Sequence, residues 1–143
     1  MSYEFIEDVA IADVAFEARG KNLEELFAQA ARATTNVMVR DLGQIGKSER
    51  RNIAVQADNV EMLLFEFLQE LIYYKDAEQL LLVEFHLSAK ESDGGFRLTG
   101  YALGEYLDQH RHEQVVDVKA VTWHRFQVTH TVEGWRAFVV LDI

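Results

Sequence analysis

The chain has 143 residues, 49% apolar and 27% charged, a profile that suits a single domain over 1–143 with one core and fits neither a disordered tail nor a membrane protein. Acidic residues number 24 against 14 Lys plus Arg, giving a formal net charge of −10; no basic tail is set aside for phosphate contacts, so direct nucleic-acid binding by counterion release is not expected. With no cysteine, disulfides, thiolate zinc sites and a cysteine nucleophile are excluded, and any metal must be held by oxygen or imidazole nitrogen.

In chain order, Tyr3 to Ile6 and Val14 to Arg19 read as short strands, the second stopped by Gly20. The first helix is predicted over Leu23 to Met38. Asn22 can cap it, Glu25 stands three residues later as the other half of a capping box, and Leu23, Leu26, Phe27, Ala30, Thr34, Val37 and Met38 recur on one face. Ile53, Val55 and Ala57 alternate as a strand. A second helix follows, with Asp58 as cap, Glu61 at the third position and a wide apolar stripe from Val60 to Ile72, ending near Lys75. Leu80 to Ala89 pairs with Phe96 to Leu103 across Asp93-Gly94-Gly95, and Val121 to Thr131 pairs with Trp135 to Asp142 across Val132-Glu133-Gly134. Strands that come in hairpins with few intervening helices predict an α+β fold, two helices on a largely antiparallel or mixed sheet. Proline is absent, so elements must end on glycine, capping side chains and burial. Met1-Ser2-Tyr3-Glu4 lacks a basic, apolar, cleavable leader, and the expected address is the cytoplasm.

Recognisable catalytic patterns are missing. The glycines stand singly or as Gly94-Gly95, which excludes a P-loop or a dinucleotide fingerprint, and there is no H-E-x-x-H run or G-x-S-x-G elbow. His110 and His112 could present two nitrogens from an extended segment, although a solvated loop is the stronger reading. Lys47, Arg50 and Arg51 form a basic cluster better read as a solvated strand entrance than as a phosphate site. The C-terminal strand is more informative: burying Ile143 would draw its α-carboxylate and Asp142 toward the core, where they either splay into solvent or share a hard cation. Asp13, at the head of an apolar strand, is a second acid in an awkward place, with a turn or strand-end cap as its ordinary role.

Several blocks in order resemble the archeases. Gly20-Lys-Asn-Leu-Glu-Glu-Leu-Phe27 with Ala30-Ala31 is similar to that family's first helix, and Leu63-Leu-Phe-Glu-Phe-Leu-Gln-Glu-Leu-Ile-Tyr73 to its second. Val118-Lys-Ala-Val-Thr-Trp-His124 resembles the family's Val-Lys-Ala-Val-Thr-Tyr-His run, and the sequence ends Leu141-Asp142-Ile143 as members do. The resemblance implies an α+β protein that is not itself an enzyme but the activating partner of the RtcB-type RNA ligase in tRNA splicing and RNA repair. It implies promotion of guanylate transfer from GTP to the ligase's active-site histidine, and repeated turnover. It also implies a metal site made by Asp13, Asp142 and the terminal Ile143, with calcium the usual occupant and magnesium or manganese chemically permissible. The sequence departs from the family's His-Thr-Ala-Asp by reading Ala10-Ile11-Ala12-Asp13, which removes an imidazole and a hydroxyl that could support the ligand. Gly104-Glu105 retains a family element to which no role is carried.

A chain of this charge is suited to docking on a basic ligase surface rather than to holding RNA. Two competing classes remain: a small divalent-metal phosphoesterase using Asp13, Asp142 and His124, and a general chaperone or modulator of RNA-modifying enzymes.

Overall fold

The computed structural model describes residues 2–7 and 13–143. The elements are β1 (Ser2–Ile6), β2 (Asp13–Gly20), α1 (Leu23–Met38), a 3-10 turn (Leu42–Gln44), β3 (Glu49–Ala57), α2 (Val60–Glu78), β4 (Leu80–Ser92), β5 (Gly95–Tyr106), β6 (Ala120–Thr131) and β7 (Gly134–Asp142). They form an α+β fold with two antiparallel sheets, ordered β1-β2-β7-β6 and β3-β5-β4. The two predicted hairpins are present, as β4–β5 and β6–β7.

α1 begins where its sequence says. The Asn22 side chain accepts from the Glu25 N–H at 2.8 Å, satisfying a donor that no helical carbonyl can reach. α2 departs from the expectation in two ways. Its cap is Asn59 rather than Asp58, accepting from the Met62 N–H at 2.8 Å, which shifts the frame so that Glu61 no longer completes a capping box. The helix also runs past Lys75 to Glu78 and closes on Gln79 in the left-handed region at φ 52°, a conformation in which the Gln79 N–H reaches the Lys75 carbonyl.

Each helix packs against strands of both sheets, α1 on β2 and β4, α2 on β6, β4 and β3. This is why α2 needs a wide apolar stripe and why the core is continuous from one sheet to the other. Phe67 stands at its centre, stacked on Phe27 of α1 at 5.9 Å and edge-on to Phe85 of β4 at 6.0 Å. Phe27 and Phe67 are fully buried, and each such side chain contributes roughly 1.5–3 kcal/mol relative to exposure. Alternation sends Phe16, Ala18, Ala137, Val139 and Leu141 into this core and turns Asp13, Glu17, Arg19, Arg136, Phe138 and Asp142 to the outer face of the four-stranded sheet.

The segment from Leu107 to Lys119 carries the chain from one sheet to the other without regular structure, but it is tied down throughout. Leu107 N–H donates to the Gln79 carbonyl, Val115 N–H to that of Met38 and Lys119 N–H to that of Asp142. The Lys75 ammonium bonds Asp117 and the Val118 carbonyl. Among the described residues no helix is long and apolar enough to cross a membrane.

Candidate functional site

Residues far apart in sequence meet because β2 pairs with β7. In that antiparallel register Asp13 stands directly opposite Asp142, which sets their Cα atoms about 4.5–5.5 Å apart with both side chains on one face. Both are half-buried, as is the adjoining Ile143, and among the described residues neither aspartate has an ion-pair partner. Like charges opposed in this way are destabilising unless something positive lies between them. The donors are carboxylates, the class that suits calcium, magnesium or manganese. No three side chains of His, Asp and Glu gather into a metal-binding group among the described residues, so a cation held here would need the α-carboxylate of Ile143 as a further donor. The replaced family positions Ala10, Ile11 and Ala12 lie outside the described residues.

β6 flanks the pair on its other side, with Ala120 opposite Asp142 and Thr122 opposite Val140. Thr122 Oγ1 donates to the Val140 carbonyl at 3.0 Å and accepts from the His124 N–H at 3.3 Å. Beyond it the register slips between Thr122 and Gln127, a bulge anchored by Trp123 stacked on Phe65 of α2 at 3.9 Å and by Phe126 edge-on to the same ring. His124 sits exposed in this bulge. Among the described residues no hydrogen bond joins it to Asp13 or Asp142, which leaves the acid–base group of a phosphoesterase unplaced.

The structure corrects the extended reading of the histidine pair and keeps the solvated one for His110 alone: Gln109 to Arg111 form an exposed turn, whereas His112 is 2% exposed. The Asp108 N–H donates to His112 Nδ1 at 2.9 Å, so the ring proton lies on Nε2 and is donated to Glu105 Oε1 at 2.7 Å. Glu105 is itself buried. Its other oxygen takes the Arg111 guanidinium at 2.7 Å, and the Gly46 N–H lies against the same carboxylate. Arg111 does most to lower the Glu105 pKa, burial opposes it, and Gly46 and His112 add to it, with the result held down to about 2. A Cβ at position 46 would lie 2.8 Å from the Glu105 carboxylate, so any side chain in place of Gly46 would have to push that carboxylate aside. This cluster was missed in the sequence. The signal was Glu105 at an outward position of β5, meaningful only once the turn folds back over it.

Other candidates are accounted for by their neighbours. Lys47 pairs with Glu84 at 2.8 Å, Arg51 with Glu78 at 2.6 Å, and Arg50 lies over the Tyr101 ring at 3.9 Å, so the basic cluster of the sequence does not converge on one point. His86 bonds Glu84 and stacks on Tyr101, and His130 stacks on Trp135.

Comparison with known proteins follows the same architecture. Residues 3–143 match the Archease protein family (MTH1598/TM1083). The chain is 37% identical over 144 residues to the protein archease of Archaeoglobus fulgidus, covering 100% of both. It is 35% identical over 142 residues to that of Methanosarcina barkeri, covering 99% of this chain and 95% of the relative. The solution structure of Methanobacterium thermoautotrophicum protein 1598 superposes with a TM-score of 0.85 at 36% identity over 99% of this chain and 98% of that one. A crystal structure from Thermotoga maritima, titled an archease and possible chaperone, shares the fold with a TM-score of 0.60 at 18% identity, covering 98% of each chain. Sequence, fold and full-length coverage agree, and the chain belongs to the archease family.

Proposed function

We propose that this chain is a protein cofactor of the RtcB-type RNA ligase, without catalytic residues of its own, which promotes guanylylation of the ligase and its repeated turnover. Family membership supports the choice of partner. The observation that carries the role of the site is the cross-strand opposition of Asp13 and Asp142 beside Ile143. In this reading the three carboxylates form one oxygen site presented where the two central strands, β2 and β7, end. A divalent cation there, calcium by family preference and otherwise magnesium or manganese, would supply a hard positive centre. The chain's own part is to fix the two aspartates through the β2–β7 ladder and to hold β6 against them through the Lys119 N–H bond to the Asp142 carbonyl at 2.8 Å. The net charge of −10 steers the protein onto a basic ligase surface.

The test is guanylylation of the cognate ligase with GTP and manganese, with and without this protein. Guanylylated ligase should increase, and no guanylate should attach to this chain. Label on this chain, or an unchanged ligase, would contradict the proposal. A phosphoesterase would reveal itself by metal-dependent hydrolysis by the isolated chain. The description of the Thermotoga relative as a possible chaperone suggests the other alternative, whose binding to RNA-modifying enzymes would survive loss of Asp13 and Asp142.

A further inference from the structure

Asp142 closes β7, and a strand end frays unless something ties it down. Asp142 pairs with Asp13 on one side and Ala120 on the other, and its carbonyl accepts from the Lys119 N–H at 2.8 Å. The β6 side of this corner is short. β6 pairs with β7 at Ala120, Val121 and Thr122 and next at Gln127, so the bulge separates its first residues from the rest of the strand. Those residues must be held from elsewhere, because the segment that precedes them has no regular structure of its own.

Two side chains of α2 hold them. Gln69 Oε1 accepts from the Val121 N–H at 2.9 Å, occupying a backbone donor of this edge strand. The Lys75 ammonium bonds the Val118 carbonyl at 2.9 Å and the Asp117 carboxylate, immediately before Lys119. Its side chain is only 13% exposed, and its stem lines a gap of about 60 Å³ with Leu81, Leu107 and Val116. Lysine is seldom buried, since an ammonium taken out of water must be matched by acceptors. Here the acceptors are Val118, Asp117 and, on the helix itself, Asp76. Val118 is fully buried, so this part of the segment is seated by side chain and backbone together. The end of α2 also fixes the start of the segment, where the Gln79 carbonyl accepts from the Leu107 N–H at 2.7 Å.

We propose that Lys75 and Gln69 are positioning residues of the C-terminal carboxylates, clamping the start of β6 so that Asp142 and Ile143 are held beside Asp13. The proposal rests on the reading that these carboxylates act on the ligase, and it gives α2 a part in that action although neither side chain is one of the acids. A methionine at position 75 would fill the space of the lysine stem without burying a charge. What the ammonium alone supplies is the tie to Asp117 and to the Val118 carbonyl. Without the two ties the Lys119 N–H opens and the Asp142 carbonyl loses its donor. The effect stays at this corner, because the β2–β7 ladder is continuous from Asp13 to Gly20.

The experiment uses the full chain and two readouts, amide hydrogen exchange by 15N NMR and guanylylation of the cognate ligase with GTP. In Lys75→Met with Gln69→Leu, exchange at Lys119 should quicken about tenfold or more relative to the amides of Phe16 and Val139 in the middle of the ladder. Stimulation of the ligase should fall about fivefold or more. Each single variant should move both readouts in the same direction by less, which keeps the test decisive where the double variant fails to fold. Asp76→Asn removes the partner of Lys75 within the helix, and Asn59→Ala loosens α2 at its other end; both should leave the relative exchange and the stimulation within about twofold. Unchanged Lys119 exchange and stimulation in the folded double variant would overturn the proposal, as would an equal loss of stimulation in Asn59→Ala. An unmodified chain that leaves the ligase unstimulated contradicts the partner reading instead, and Lys119 exchange then decides for or against the clamp.

Discussion

At the scale of single residues, Glu105 shows how a buried charge is made tolerable: a guanidinium, an imidazole N–H and a backbone N–H replace the water it lost. Its pKa is depressed from 4.5 to about 2. The stability it contributes is therefore fully present above the unfolded-state value of 4.5 and is lost as pH falls toward about 2. Discounted for the half-exposed Arg111, that contribution is about 2 kcal/mol. Urea unfolding at pH 7 and pH 3 should show the parent losing part of this between the two, while Glu105→Gln is destabilised at pH 7 and loses less on acidification. Equal pH dependence of parent and variant would remove Glu105 from the acid response. His112 could not be understood from sequence, because its neighbours Asp108 and Glu105 become its partners only through the turn. Asp13 and Asp142 were legible as awkward acids, since each ends an apolar strand, but their opposition needed the β2–β7 pairing.

At the scale of elements, local periodicity gave α1 to the residue because Asn22 is the sole capper before its apolar face. α2 has two candidate cappers in a row, and Glu61 three residues after Asp58 imitates a box that Asn59 displaces. The prediction is correspondingly sharp. Asn59→Ala should cost about 1 kcal/mol in chemical denaturation, and Asp58→Ala only a few tenths; the reverse order would restore the cap to Asp58. Hairpins were legible because Gly94-Gly95 and Glu133-Gly134 mark tight turns between alternating runs. Their division into two sheets was not, since the partition depends on β1-β2 joining the C-terminal strand and on helices that face both sheets, and neither relation has a local signature.

At the scale of the whole molecule, two arguments meet. If a net charge of −10 steers docking on the ligase, the association rate should fall steeply as added salt shortens the Debye length from about 10 Å at 0.1 M to about 3 Å at 1 M. Stopped-flow association that stays flat over that range would leave the affinity to other contacts. The central claim is that the carboxylates of Asp13, Asp142 and Ile143 act together on the ligase, and it is tested most directly at the end of the chain. A C-terminal extension turns the Ile143 carboxylate into an amide, and Asp142→Ala removes a second donor, whereas an N-terminal extension leaves all three carboxylates in place. Guanylylation of the ligase should be stimulated by the unmodified and N-terminally extended proteins and fall tenfold or more with either C-terminal change, in parallel with divalent-cation binding. Undiminished cation binding and stimulation by the C-terminally extended protein would contradict the account.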